Sequence, residues 1–319
     1  MRTGGDDIAQ GLALMGVRPR WEGASGRVVG YEILPLSVLD RPRVDVTLRV
    51  SGFFRDAFPG LIDLFDAASR AVAALDESES DNPLAARVRA DAQRLQATGR
   101  DAGEALREAG FRVFGSRPGS YGAGLQALID ENAWQDERDL ARAVVAWGGY
   151  AYGGGAEGRA AAGSFESRLS AVEAVVQNQD NREHDLLDSD DYYQFAGGLA
   201  VAARVLTGKA PVVYHNDHSR PERPRVRRLD EEIARVVRAR VINPKWIAGA
   251  MRHSACSSTT ESRPPESPSN AFPSGRQASA GGTNFMSVAG DISFDASGLQ
   301  TLNSHRSQQE TRGKHWRDG

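Results

Sequence analysis

Along residues 1–253 apolar positions recur with two different periods, and their interleaving predicts a helix-rich, mixed α/β fold. Ile8, Leu12 and Met15 fall at i, i+4 and i+7 behind Asp6 and Asp7, the pattern of an amphipathic helix that Gly16 and Pro19 would close. From Arg43 to Val50 the period drops to two. Val44, Val46, Leu48 and Val50 alternate with Asp45, Thr47 and Arg49, which predicts a strand with one face on a core. Pro59 can open the next helix, with Leu61, Leu64, Phe65, Ala68, Val72 and Leu75 in one stripe. An acidic linker from Asp76 to Asp81 leads to a helix begun by Asn82-Pro83, with Leu84, Val88, Ala92 and Leu95 inward. Another starts at Asp101, where Glu104 completes a capping-box pattern ahead of Gly110.

Phe111 to Phe114 reads as a short strand that runs into GSRPGSYGAG, Gly115 to Gly124, and then into a helix near Leu125. Strand, glycine loop and helix together can present backbone N–H groups to an anion, although the spacing fits neither a Walker A loop nor a dinucleotide fingerprint. A plain turn is the first reading of this loop, and Arg117 and Tyr121 within it are what favour a ligand-contacting one. Gly153 to Gly155, after Trp147, Tyr150 and Tyr152, reads as a flexible connection. A helix is expected from Ser164 to Gln177 on the strength of Phe165, Leu169, Val172 and Val176, and another over Leu199 to Leu206. Pro211 to Tyr214 reads as a strand ending in His215-Asn216-Asp217-His218, followed by an arginine-rich helix with Leu229, Ile233, Val237 and Val241 on one face. Asn243 and Pro244 supply a cap and first-turn proline for a helix carrying Lys245 and Trp246. Beyond His253 periodicity gives way to Ser, Gly, Pro, Asn and Gln, so two segments are expected: an ordered one over 1–253 and a disordered tail over 254–319.

With 319 residues, 40% apolar, and a net charge of −3, the chain can bury one large core or two ordinary ones. The basic run Arg220 to Arg228 is local and reads as a solvated face, so no nucleic-acid partner is expected. A single cysteine, Cys256, leaves no intramolecular disulfide or thiolate cage and fits a reducing cytoplasm. No window approaches the roughly 18 apolar residues of a spanning helix, so no membrane partner is expected either.

Chemistry concentrates in DNREHDLLDSDDYYQF, Asp180 to Phe195. Glu183, His184, Asp185, Asp188, Asp190 and Asp191 crowd more negative charge than a cap or turn uses. Hard oxygen ligands with an imidazole suit Mg, Mn or Co better than a closed zinc site. An acidic solvated loop over packed Tyr192, Tyr193 and Phe195 accounts for the same residues. His215 and His218, flanking Asp217, form a second candidate cluster. Arg55 and Asp56 stand at the end of the best strand, as ligand contacts or as a buried supporting pair.

The segments TGGDDIAQGLALMGVRPRW, RPRVDVTLRVSGFFRDAFP, VFGSRPGSYGAGLQ, NQDNREHDLLDSDDYYQF, YHNDHSRPERP and RARVINPKW resemble the C-terminal part of the large subunit of aerobic cobaltochelatase, a family related to the porphyrin-binding subunit of magnesium chelatase. The resemblance covers about residues 1 to 253. It implies ATP-dependent insertion of Co2+, the substrate metal, into hydrogenobyrinic acid a,c-diamide during cobalamin synthesis. It also implies an AAA+ ATPase subunit and a second accessory subunit, which would carry ATP and Mg2+. The magnesium relatives share an Asp-Ser-Asp element at Asp188, Ser189 and Asp190 and tend to have histidine in place of Asp185. The roles so implied are metal binding for Asp188, Asp190 and His184, with His184 or Asp185 taking the second ring proton. Arg55, Arg117, Tyr121 and His215 are the candidates for binding the tetrapyrrole. Family members are several times longer, Met1 reads like an internal start, and the resemblance ends near His253 as a frameshift or insertion would end it. The expectation is therefore a segment inactive by itself, the alternative being a non-catalytic remnant or docking module for the ATPase subunits.

Overall fold

The computed structural model describes residues 5–179, 185–187, 189, 191–257 and 285–289, which separate into two units: Met1–Arg228 with Gly282–Gly319, and Leu229–Gly281. In the first unit α1 (Asp6–Leu14) ends at Gly16, whose φ is 77° and where a Cβ would lie 2.6 Å from Arg43 Nη1 and 2.7 Å from Leu39 Cδ2. The chain then forms an antiparallel hairpin, β1 (Val17–Trp21) and β2 (Val28–Ile33). Pro19 therefore lies inside a strand instead of ending a helix, a position it can hold because both strands of a two-stranded ribbon are edges. There follow α2 (Leu36–Leu39), β3 (Asp45–Arg49) and α3 (Gly52–Ala57), the last capped by Ser51. Next come α4 (Pro59–Ala73), α5 (Pro83–Ala97) capped by Asn82, and α6 (Ala102–Ala109) capped by Asp101. The expected proline start and both caps are thus in place.

The chain continues through β4 (Val113–Gly115), α7 (Gln126–Asp130), α8 (Glu137–Gly148), β5 (Tyr150–Ala151), β6 (Arg159–Ala160) and α9 (Ala162–Leu169). Then come β7 (Val172–Gln179), a π-helical turn over Tyr192–Gly197, α10 (Gly198–Thr207), β8 (Val212–Asp217) and β9 (Arg225–Arg228). The second unit holds α11 (Leu229–Val236), a π-helical stretch over Val237–Val241, and α12 (Pro244–Ser257), whose first turn Asn243 caps by accepting from Lys245 N at 3.0 Å. One further strand, β10 (Phe285–Ala289), returns to the first unit. Helix α12 thus ends four residues beyond His253, and β10 is the element described after it.

The main sheet has eight strands in the order β6-β5-β4-β3-β10-β7-β8-β9. β3 pairs with β4 and β7 with β8 in parallel, while β10 is antiparallel to both β3 and β7. From β3 the chain steps toward one edge and from β7 toward the other, so the topological switch point lies between them. One apolar cluster, including Leu12, Leu48, Phe65, Val88 and Val176, packs α1, α4 and α5 on one face. A second, including Phe114, Val144, Phe165, Val175 and Leu199, packs α8, α9 and α10 on the other.

Coverage on both faces explains two departures from the periodicity. All five residues of β3 are buried, not only its apolar face, and Asp45 among them is paired with Arg112 at 2.6 Å. The expected helix over Ser164 to Gln177 is a short helix followed by β7: Ser170 and Ala171 break it, and Val172, Val175 and Val176 are buried in the sheet. A short apolar run buried on both faces fits helical spacing by coincidence. Gly153, Gly154 and Gly155 (φ 93°, 56° and 80°) form a packed turn instead of a loose link, since a Cβ on Gly153 would meet Asp66 Cβ at 2.5 Å.

Candidate functional site at the carboxyl ends of the strands

The parallel strands β3, β4, β7 and β8 all deliver their carboxyl ends to one edge, and each candidate segment departs from that edge. Asp180–Asp191 leaves from Gln179 at the end of β7 and returns at Tyr192, whose ring lies 5.5 Å from that of His215 on β8. Both ends of the acidic stretch are thereby tied to the β7–β8 pair. His184, Asp188 and Asp190 lie outside the described residues. Asp185 is half-buried and accepts from Leu187 N at 3.0 Å. Among the described residues no group of three or more His, Cys, Asp or Glu side chains is arranged to hold a metal.

Register places Gln177 beside His215, Asn178 beside Asn216, and Gln179 beside Asp217, so these polar side chains fall alternately on the two faces. On the α1 face, Asn216 Nδ2 donates to Asn178 Oδ1 (2.9 Å) and Gln10 Oε1 (3.2 Å), and Asn178 Nδ2 donates to Asp7 Oδ1. Gln10 Nε2 donates to His218 Nε2 at 2.8 Å, and His218 Nδ1 lies 3.1 Å from Asp6 Oδ2. Because Gln10 Oε1 is already an acceptor, its amide cannot be flipped without loss. His218 must then accept at Nε2 and carry its proton on Nδ1, toward Asp6. On the other face His215 Nε2 lies 2.9 Å from Gln179 Oε1, within hydrogen-bond distance. Two polar atoms within this network, Gln177 Nε2 and Asn216 Oδ1, are buried with no hydrogen-bond partner among the described residues.

The glycine loop after β4 is organised from beneath by Arg55. Its Nη1 donates to the carbonyls of Ser116 (3.2 Å), Arg117 (3.0 Å) and Ser120 (3.2 Å), and Nε and Nη2 grip Asp56 at 2.6 and 2.9 Å. Asp56 also accepts from the Tyr121 hydroxyl at 2.7 Å. The bond from Arg55 holds the Asp56 carboxyl below its usual range, against burial and assisted by Tyr121. The Arg55 guanidinium is raised by the same bond, and the Tyr121 phenol is raised by its bond to Asp56. Gly52 permits this packing, since a Cβ there would lie 2.7 Å from both Ser120 O and Tyr121 Cδ1. Of the candidates named for the tetrapyrrole, His215 is buried in the network, Arg55 is committed to the loop, and Arg117 and Tyr121 are exposed at its surface.

Between loop and π-helical turn sits Arg49, fully buried, its guanidinium 5.2 Å over the Phe195 ring. Burial lowers it to about 10, with Tyr152 raising it and Arg55 lowering it further. Arg49, Ala123, Gln194, Phe195 and Leu199 line a small pocket far below the size of a macrocycle. In the sequence Arg49 stands out only as a polar position of a strand, and Asp6, Asp7, Gln10 and the amides of β7 and β8 carry no functional mark. The signal that points to them is the run Gln177-Asn178-Gln179, amides where a buried strand should stay apolar.

The family model described as CobN/Magnesium Chelatase matches residues 1–260. The chain belongs to this family. It is 66% identical over 253 residues to the aerobic cobaltochelatase subunit CobN of a Sinorhizobium species, covering 79% of this chain and 20% of that protein. It is 62% identical to the same subunit of Pseudomonas aeruginosa over the same shares. Against the magnesium-chelatase protein of the family from Rhodobacter capsulatus the identity is 37% over 257 residues, 80% of this chain and 21% of that one. The solved catalytic subunit of cobaltochelatase from Mycobacterium tuberculosis superposes with a TM-score of 0.73 at 48% identity, over 78% of this chain and 20% of that structure. The chain thus spans about a fifth of the length of the CobN/magnesium chelatase relatives it matches. Among the described residues no helix is long and apolar enough to cross a membrane.

Proposed function

We propose that this chain is the part of a cytoplasmic cobaltochelatase large subunit that presents metal ligands and proton acceptors to the tetrapyrrole. The observation that carries it is the tethering of the acidic segment at both ends, by Gln179 and by Tyr192 against His215, in a chain 62% and 66% identical to cobaltochelatase subunits. Insertion requires stripping water from Co2+ and removing ring protons. Asp188, Asp190 and His184 take the metal, and His184 or Asp185 accepts the second proton. His215, hydrogen-bonded to Gln179, steadies the strand end from which that segment leaves. Arg117 and Tyr121 meet the ring's polar substituents from the loop, while Arg55 shapes that loop.

The substrate is hydrogenobyrinic acid a,c-diamide, and ATP with Mg2+ acts on the AAA+ ATPase and second accessory subunits. The pocket beside Arg49 is too small for the ring, so ring binding draws on surfaces beyond those described, and the chain alone is inactive. Asp188→Ala in a complete subunit abolishes chelation and leaves tetrapyrrole binding intact; unchanged turnover refutes the assignment. A docking role toward the ATPase subunits is favoured by the exposed Trp21, Val29 and Val38 on and beside the β1–β2 hairpin. Partner capture without tetrapyrrole binding supports that second role over the first.

A further inference from the structure

β3 and β7 run in the same direction yet never pair with each other: each meets its parallel neighbour on one side and β10 on the other. A one-strand gap, roughly 9–10 Å between flanking strands, thus stands at the switch point of the sheet. The segment that fills it comes from far along the chain. The backbone leaves the first unit at Arg228, builds the second, and regains the first only at residue 282. The stretch it supplies, Phe285–Ala289, reads FMSVA in a tail otherwise rich in Ser, Gly, Pro, Asn and Gln, and is the strand described beyond residue 257. Its orientation is also that of an insert, antiparallel between strands that would be parallel without it.

We infer that the gap between β3 and β7 is a strand-accepting site and that its occupant is the chain's own segment 285–289, donated from beyond the second unit in the sequence. The site supplies open N–H and C=O groups from two buried strands, so it selects an extended backbone and not a helix or a loop. Register sets Phe285 between Arg49 and Gln177. Donation therefore joins the Arg49 side of the candidate site to the Gln177 and His215 side. This inference does not depend on the chelatase reading, because backbone pairing is measured without tetrapyrrole or metal.

Two measurements on the full chain test it. Ser287 pairs with both Thr47 and Val175, so Ser287→Pro removes an N–H that the ladder needs and places a ring in the sheet. Amide exchange over 45–49 and 172–177 should accelerate at least tenfold in this variant while α4 and α5 keep their protection. Ser297→Pro, elsewhere in the tail, should change neither. Unaltered protection of 45–49 and 172–177 in Ser287→Pro overturns the inference. Independently of how that variant folds, a chain carrying Cys256→Ser, Thr47→Cys and Ser287→Cys should form a disulfide under mild oxidation that migrates as monomer. Failure to cross-link overturns the inference, and a disulfide-linked dimer overturns the assignment of the occupant to the same chain.

Discussion

Replacing Arg55 by methionine should loosen the glycine loop without unfolding the sheet, and the size of the effect follows from what each acceptor retains. Ser116 O still receives the Tyr152 hydroxyl, Arg117 O still receives Ser120 N, and Ser120 O still receives the Ser116 hydroxyl. No carbonyl is orphaned, so the full desolvation penalty does not arise. The three lost bonds share one Nη1 at 3.0–3.2 Å and count as about one charge-assisted bond, ~1.5–2 kcal/mol. The pair with Asp56, whose carboxylate is 47% exposed, adds less than ~1 kcal/mol. A loss of about 1.5–3 kcal/mol lowers the urea midpoint by roughly 0.5–1 M at a slope near 3 kcal/mol/M. Tryptophan fluorescence reads the midpoint, and amide exchange over 116–124 reads the loop. Arg55→Lys should recover less than half, because one ammonium cannot span Asp56 and three carbonyls. A lysine that restores the midpoint fully, or an Arg55→Met chain whose loop exchanges no faster, would refute the anchoring role.

The remaining predictions concern single groups. Gln177→Met removes a buried amide whose Nε2 has no acceptor among the described residues, so the urea midpoint should hold or rise by up to ~1 kcal/mol in stability; a loss above that means an unassigned partner. Glu77 is held below the usual carboxylate range, first by its bond to Arg43 and then by Asn82, against burial. A depressed carboxyl contributes stability above its unfolded value and loses it as pH falls through the folded one, so Glu77→Gln should flatten the acid limb of a stability-versus-pH curve. An unchanged acid limb would remove Glu77 from that account. Gly124 has φ 80°, and a Cβ there would lie 2.7 Å from Trp147 Cγ. Gly124→Ala should therefore cost about 1–3 kcal/mol and shift the emission of Trp147, whose Nε1 donates to Gly122 O; an identical spectrum and midpoint would contradict it.

Local signals are legible where a few adjacent residues decide the outcome. Asn82, Asp101 and Asn243 cap the helices they are expected to cap, and Pro59 opens its helix. β7 hides in the sequence because burial on both faces erases the alternation that marks a strand, and β5 and β6 are too short to show any. The polar network is invisible for another reason. Asp7 and Asn178 are 171 positions apart and Gln10 and His218 are 208 apart, so Asp6 and Asp7 look like ordinary first-turn acids until the sheet is assembled. Arg55 illustrates the limit of motif logic: its position at a strand end leaves a ligand contact and a supporting pair both open, and only the geometry shows it bonded to the loop. The acidic stretch itself is plain from composition, and its tethering is not.

The strands at the two rims of the sheet, β6 and β9, are short and arginine-bearing: Arg159 on one, Arg225, Arg227 and Arg228 on the other. A rim strand with open backbone groups invites stacking by another chain, and like charges meeting there repel. On this reasoning the basic run ending at Arg228 would oppose pairing with a second chain at that rim, with Arg227 also held 3.6 Å from Asp217. Neutralising Arg225 and Arg228 together would leave the monomer's core untouched while making concentrated solutions turbid.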